Sequence, residues 1–417
     1  MPRIVQKFGG TSLADPDKIQ HAAEIVVKAF QEGFEVTAVV SAMGETTDNL
    51  IALARNINPN PSARELDMLL ATGEQQSVAL MAMAIEKLGH EARSFTGGQA
   101  GIITENRHGK ADIRKIEANG LESSLNRGEI AVVAGFQGIT TSNEVTTLGR
   151  GGSDTTAVAL AVALGAERCD IYTDVSGIFT ADPTLVPEAL PIKCLSYEET
   201  FELAAAGAKV IHPKSVEIAM ESQIPVRVRS SFDPENTGTL ITHRLDAPIY
   251  TVCGIALDQH VTSIKIRMSG HIAEGGPLDA TSSIFIRLAE LGIATDMIMF
   301  VAREDESEQE LIFTVKEKHS QDVLSVIKNK ASKLNHPDVS IQKDLARISI
   351  VGRRLSAKPE LIATIFDTLN QASIPVELVS TSELRMSVLL PETNAQQALS
   401  LIHKRFGLSQ EFTATFE

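Results

Sequence analysis

The sequence predicts an α/β domain with a largely parallel sheet in its first half and two copies of a small α+β module in its second. Three observations carry this: strand-like runs that alternate with helical stretches, glycine-rich segments at the ends of those strands, and an internal repeat further on. Residues 4–8 form the first apolar strand, which runs into Gly9-Gly10-Thr11-Ser12. Asp15-Pro16 then supplies an N-cap and a first-turn proline for a helix to about Gln31, with Gly33 as its stop. Residues 36–40 are again a strand, ending at Ser41-Ala42-Met43-Gly44, and residues 65–88 carry a long helical pattern closed by Gly89. Residues 131–136 and 171–175 are further β segments. Strand-then-helix alternation implies a parallel sheet covered on both faces, with ligands beyond the carboxyl ends of its strands.

The second half repeats itself. Phe285, Leu288, Ile293 and Asp296 recur as Phe366, Leu369, Ile374 and Glu377, each 81 positions later by residue number. Leu324-Ser325-Val326-Ile327 recurs as Leu399-Ser400-Leu401-Ile402 at an offset of 75, so the first copy has the longer loop, placed at residues 303–310. Each copy reads strand, helix, strand, strand, helix, strand. The domain change is expected near Asp246-Ala247-Pro248, giving a first domain over 1–245, a linker and first module over 246–340, and a second module over 341–417.

Composition excludes several classes. In 417 residues, 38 lysines and arginines face 53 aspartates and glutamates, a net charge of −15 that argues against a nucleic-acid partner. No apolar run reaches the roughly 20 residues that span a bilayer, and the start turns polar too early for a signal peptide, so a cytoplasmic location is expected. Cys169, Cys194 and Cys253 are odd in number and far apart, which suits small buried hydrophobes better than a disulfide or metal framework.

Three segments carry chemistry. In the first, Lys7-Phe8-Gly9-Gly10-Thr11-Ser12, glycines let backbone N–H groups approach an anion and Lys7 can put its ammonium on a phosphate. Alone, it also fits a tight turn beside a lysine. In the second, Thr147-Leu148-Gly149-Arg150-Gly151-Gly152-Ser153-Asp154, an arginine stands at the start of the apolar helix 157–164. Ser153 or Asp154 would make an ordinary N-cap, but Arg150 beside two glycines suits a pocket for a carboxylate or phosphate. The third, Tyr172-Thr173-Asp174-Val175-Ser176-Gly177-Ile178-Phe179-Thr180-Ala181-Asp182-Pro183, is a strand end and a loop that by itself would pass for ordinary surface.

Taken together, these segments resemble the aspartokinases of the amino acid kinase superfamily. The resemblance extends through Ser41-Ala42-Met43-Gly44-Glu45-Thr46-Thr47-Asp48, Gly73-Glu74, Ala134-Gly135-Phe136-Gln137-Gly138 and Gly207-Ala208-Lys209-Val210-Ile211-His212-Pro213. The second half is similar to the family's tandem ACT modules, most recognisably at Ser380-Thr381-Ser382-Glu383. The resemblance implies a three-layer α/β/α kinase domain with a mostly parallel central sheet, followed by two ferredoxin-like α+β ACT modules. It implies transfer of the γ-phosphoryl group of ATP to the β-carboxylate of L-aspartate, with Mg2+ carried mainly by the nucleotide phosphates and no resident metal site. Lys7 and Asp154 would be catalytic, Lys7 on the transferring phosphoryl group and Asp154 organising the lysines around it. Thr47, Glu74, Arg150, Gly151, Gly152 and Ser153 would hold aspartate, with Glu74 and Arg150 on its α-amino and α-carboxylate groups. Gly9, Gly10, Thr11, Ser12, Ser41 and Lys209 would line the phosphates, and Thr173, Asp174, Phe179 and Asp182 would meet the nucleoside. His212 beside Pro213 is expected to be structural.

The regulatory half departs from the family's pattern. Where many relatives carry an Asp-x-Pro-Gly turn, the first copy has His271-Ile272-Ala273-Glu274-Gly275-Gly276-Pro277-Leu278 and the second has Pro359-Glu360. Phe300-Val301 stand where feedback-inhibited relatives have Gln-Asn, so lysine or threonine inhibition is expected to be weakened or altered. A homodimer joined through the ACT modules is expected. The competing readings are a kinase for glutamate or a nucleoside monophosphate, and an amino acid sensor with an inactive kinase domain; the Arg150 segment, the repeats and the intact Lys7, Glu74, Arg150 and Asp154 count against them.

Overall fold

A computed structural model describes residues 1–208, 210–243, 251–269, 276–302, 308–329 and 338–410. The chain forms two compact units: Met1–Thr180 with Leu190–Cys253, and Ala181–Ala189 with the chain from Gly254. Residues 246–248, where the sequence suggested the change, lie outside the described residues.

In the first unit β1 is Arg3–Phe8, β2 Glu35–Val40, β3 Ala92–Phe95, β4 Ile102–Thr104, β5 Ile113–Ile116 and β6 Ile130–Ala134. They are followed by β7 (Gln137–Ile139), β8 (Val145–Thr147), β9 (Arg168–Thr173), β10 (Cys194–Ser196), β11 (Val226–Ser230) and β12 (Thr239–Thr242). The main sheet has the order β10-β12-β11-β9-β1-β2-β6-β3. Every pair in it is parallel except β11 with β12. A second small sheet, β5-β4-β7-β8, lies in the same unit.

The helices follow local rules. Helix α1 (Pro16–Gln31) starts where Asp15 accepts the Lys18 N–H at 2.9 Å with proline in the first turn, as the sequence predicts. Its Ile19, Ala22, Ala23 and Val26 pack with Ile4, Phe8, Val36, Val40 and Val132 in one core. Helices α2 (Thr46–Ile57) and α3 (Ala63–Lys87) follow; α3, capped by Ser62, begins two residues before its expected start. Next come α4 (Asn119–Asn126), α5 (Gly152–Ala163), α6 (Tyr197–Ala205) and α7 (Pro213–Ser222). The carboxyl ends of β1, β2, β6 and β9 therefore open onto Gly9, Ser41, Gly135 and Asp174.

The second unit has β13 (Gly254–Ser269), α8 (Gly276–Glu290), β14 (Asp296–Ala302), β15 (Glu308–Lys316) and α9 (Ser320–Asn329). It continues with β16 (Asp338–Val351), α10 (Pro359–Gln371), β17 (Leu378–Thr381), β18 (Arg385–Pro391) and α11 (Ala395–Arg405). One six-stranded sheet, β14-β15-β13-β16-β18-β17, runs through both modules. The repeat positions Leu288 and Leu369, and Ile293 and Ile374, are all buried.

The strands of the two modules interleave. Val261 to Arg267 pair with β15 and with the first half of β16, whereas Gly254 to Asp258 pair with the second half of β16, which in turn pairs with β18. One strand of the second module's part of the sheet thus comes from residues 254–258, upstream of the first module. The exchange falls at a register shift between Asp258 and Val261, where His260 and Asp344 both take positive φ (57° and 55°). Beside this junction the buried Arg347 bonds Asp258 at 3.1 Å and pairs with Asp296, tying a strand of one module to a strand of the other. Among the described residues no helix is long and apolar enough to cross a membrane.

Candidate active site

Side-chain alternation along β1 sends Phe8 to one face, stacked on Tyr172 with ring centroids 4.9 Å apart, and Lys7 to the other. There the Lys7 ammonium lies 2.6 Å from Asp154 Oδ1, with the two side chains only 11% and 13% exposed. Two glycines follow Lys7 and Phe8 at the strand end. A Cβ on Gly9 would sit 3.6 Å from Lys7 Nζ, and one on Gly10 would come within 2.9 Å of the Ala42 carbonyl oxygen. Gly44 N–H donates to Gly10 O at 3.0 Å, so the ends of β1 and β2 form one cradle.

Asp154 stands in the first turn of α5 because of its neighbours. Neither Ser153 nor Asp154 is the N-cap, contrary to the local expectation. Gly151 takes that place with φ 69°, and a side chain there would lie 2.2 Å from the His212 ring. Only glycine satisfies both the left-handed backbone and this contact. His212 is also the N-cap of α7, its Nδ1 accepting the Lys214 N–H at 3.4 Å. Burial pulls its pKa below the usual value, and the nearby Asp154 pulls it back up. Its place against the Gly151 turn was not legible in the sequence. Gly135, at the end of β6, would meet the Ser153 side chain at 2.7 Å if it bore a Cβ.

Glu74 reaches the same region from α3. It is 3% exposed; Oε1 accepts the Ala42 N–H at 3.1 Å, and Oε2 has no partner. Burial pushes its pKa up to about 7. Helix α3 comes this close because Gly73 leaves space: a Cβ there would be 2.9 Å from that of Ala42. Arg150 is exposed and, among the described residues, makes no hydrogen bond or ion pair. Thr47, in the first turn of α2, is half-buried, as is Ser41, whose N–H donates to Phe8 O at 3.1 Å.

Other expected residues are placed less directly. The buried Ser12 hydroxyl bonds Ser231 Oγ at 2.7 Å, whereas Thr11 is exposed. Thr173 Oγ1 donates to Asp174 Oδ1 at 3.1 Å just past β9, and Phe179 forms an isolated bridge with Pro191. Asp182 belongs to the 181–189 segment grouped with the second unit, where it accepts from Thr184 N at 2.9 Å and Thr184 Oγ1 at 2.6 Å. Lys209 lies outside the described residues, as do residues 271–275 of the first module's turn.

Residues 2–230 match the amino acid kinase family and residues 348–406 match an ACT domain. The aspartokinase of Geobacillus stearothermophilus is 43% identical over 412 residues, spanning 99% of this chain and 98% of that protein. Aspartokinase 2 of Bacillus subtilis is likewise 43% identical, over 99% of this chain and all of its own. The structure of E. coli aspartokinase III with aspartate and ADP matches with a TM-score of 0.82 at 27% identity, covering 96% of this chain and 99% of the other. The chain belongs to the aspartokinase family.

Proposed function

We propose that this aspartokinase transfers the γ-phosphoryl group of ATP to the β-carboxylate of L-aspartate at the strand ends of its first unit, with Lys7 as the principal catalytic residue. The attacking carboxylate oxygen forms a bond to the γ-phosphorus while the bond to the β,γ-bridging oxygen breaks, and ADP leaves. A carboxylate is already ionised at neutral pH, so no base is needed. The obstacle is repulsion between two anions, and the remedy is fixed positive charge and alignment. Magnesium would enter with the nucleotide and neutralise its phosphates. The observation that carries the reading is the Lys7 ammonium held 2.6 Å from Asp154 within the glycine cradle, where Asp154 fixes the cation. Arg150 and Glu74 would take the α-carboxylate and α-amino groups, Thr47 and Ser153 would add hydrogen bonds, and Thr173, Asp174 and Phe179 would meet the nucleoside.

The test is hydroxamate trapping of the acyl phosphate with ATP and Mg2+, run with aspartate and glutamate in parallel. Signal with aspartate alone, lost on Lys7→Ala, is expected. Equal signal with glutamate, or an active Lys7→Ala enzyme, refutes the reading.

For the second unit we propose an amino acid effector and a homodimer. E. coli aspartokinase III has been solved with lysine and aspartate bound, at a TM-score of 0.73 to this chain. Ile298, Met299, Phe300 and Val301 on the edge strand β14 are all more than a third exposed, an apolar run that a second copy would cover.

A further inference from the structure

Asp67 is a buried carboxylate that the catalytic scheme does not use. It is 1% exposed and sits on α3 seven residues before Glu74, two helical turns along the same face. Thr147 Oγ1 donates to its Oδ1 at 2.5 Å, and the His108 ring Nδ1 donates to its Oδ2 at 2.9 Å. Gly109 N–H lies across both oxygens at 3.0 and 2.9 Å. Three segments therefore meet on one carboxylate: α3, which carries Glu74; the end of β8, three residues before Arg150; and the 105–112 loop.

That loop supports the turn leading to Arg150. Ala111 N–H donates to Thr147 O at 2.9 Å, and a side chain on Gly149 would meet the Gly109 carbonyl at 3.2 Å. A buried carboxylate costs desolvation that an apolar residue would avoid, so its retention calls for a geometric role that only an acceptor of several donors can fill.

We infer that Asp67 is a positioning residue for the aspartate subsite, holding Glu74 and Arg150 at the separation that matches the amino and carboxylate groups of one substrate molecule. This rests on the proposed assignment of Glu74 and Arg150 to aspartate. A mere stitch between loop and helix would affect stability, or all kinetic constants alike. A positioning role acts on one substrate.

The experiment is steady-state kinetics of the full-length enzyme carrying Asp67→Asn, with Thr147→Val and Thr147→Ser probing the same contact from its other end. Asp67→Asn turns an amide N–H towards existing donors and is expected to raise KM for aspartate on the order of tenfold, with KM for MgATP within about twofold. Thr147→Val should raise KM for aspartate several-fold, and Thr147→Ser, which keeps the hydroxyl, should restore it. Parallel changes in both KM values, or an unchanged aspartate KM in both Asp67→Asn and Thr147→Val, overturn the inference. If Asp67→Asn does not fold, the Thr147 pair decides alone. Glu74→Gln separates the two levels: a raised aspartate KM there with none at Asp67 or Thr147 refutes only the positioning role, whereas no effect at Glu74 refutes the subsite assignment beneath it.

Discussion

Glu74 offers a test in which one substitution moves affinity, pH dependence and stability in directions fixed by one burial. Its carboxylate is 3% exposed, has one donor, the Ala42 N–H, and keeps Oε2 without a partner. Desolvation raises its pKa to about 7, so roughly one tenth is ionised at pH 6 and about nine tenths at pH 8. An ammonium group binds the ionised form. With MgATP saturating, KM for aspartate should therefore fall by about tenfold between pH 6 and pH 8. Glu74→Gln keeps an acceptor for the Ala42 N–H but turns an N–H donor on the ammonium. Losing one charge-assisted hydrogen bond, worth about 1.5–3 kcal/mol, should raise KM roughly 10- to 150-fold and flatten its pH profile. Stability should move the other way. An acid whose folded pKa is raised favours the fold less as pH rises from its unfolded value of 4.5 to about 7, and by a constant amount above that. The variant should then be more stable than the parent at pH 8, by on the order of 3 kcal/mol, with the gap closing as pH falls from about 7 to 4.5. Initial rates across pH and thermal melts at two pH values suffice. A pH-independent KM in the parent, or a variant that binds aspartate normally, refutes the reasoning.

Three further outcomes follow from the same geometry. Asp154→Asn removes the charge that fixes Lys7 and should lower kcat about 10- to 100-fold with little change in KM for aspartate, measured by hydroxamate formation. Arg150→Lys substitutes a point charge for a planar fork and should raise KM for aspartate by roughly tenfold or more while leaving kcat nearly intact. Lysine and threonine together should inhibit weakly or with an altered pattern, because Phe300 and Val301 offer no side-chain donor to a carboxylate; full inhibition at micromolar effector in the kinase assay contradicts this.

The kinase unit was legible in the sequence wherever a residue's local role and its site role coincide. Gly9 and Gly10 mark a turn and also the close approach of β1's end to Ala42, and Asp15-Pro16 starts a helix in any fold. Legibility stopped where the partner lies far along the chain. Nothing near Gly151 announces His212, 61 positions later by residue number, so Ser153 and Asp154 looked like ordinary caps, whereas the tertiary contact reserves that place for glycine. Asp67 was hidden in the same way. Its donors, at 108, 109 and 147, become neighbours only once α3 crosses the small sheet. A carboxylate among Leu70, Ala71 and Val78, two turns before Glu74 on the same buried face, was the available signal.

The regulatory unit shows the opposite limit. Its repeat was plain, because buried positions recur with the fold: Leu288 with Leu369, Ile293 with Ile374. A repeat gives the order of elements, not which copies of a strand pair. Had each module closed on itself, residues 254–258 would be linker, and the two modules could move independently. Instead those residues are the outer strand of the second module while their continuation is a central strand of the first. Arg347 bridges the same junction through Asp258 and Asp296. A ligand that shifts β14 at Asp296 therefore acts on a strand shared by both modules, and the two are better treated as one mechanical element than as two sensors in series.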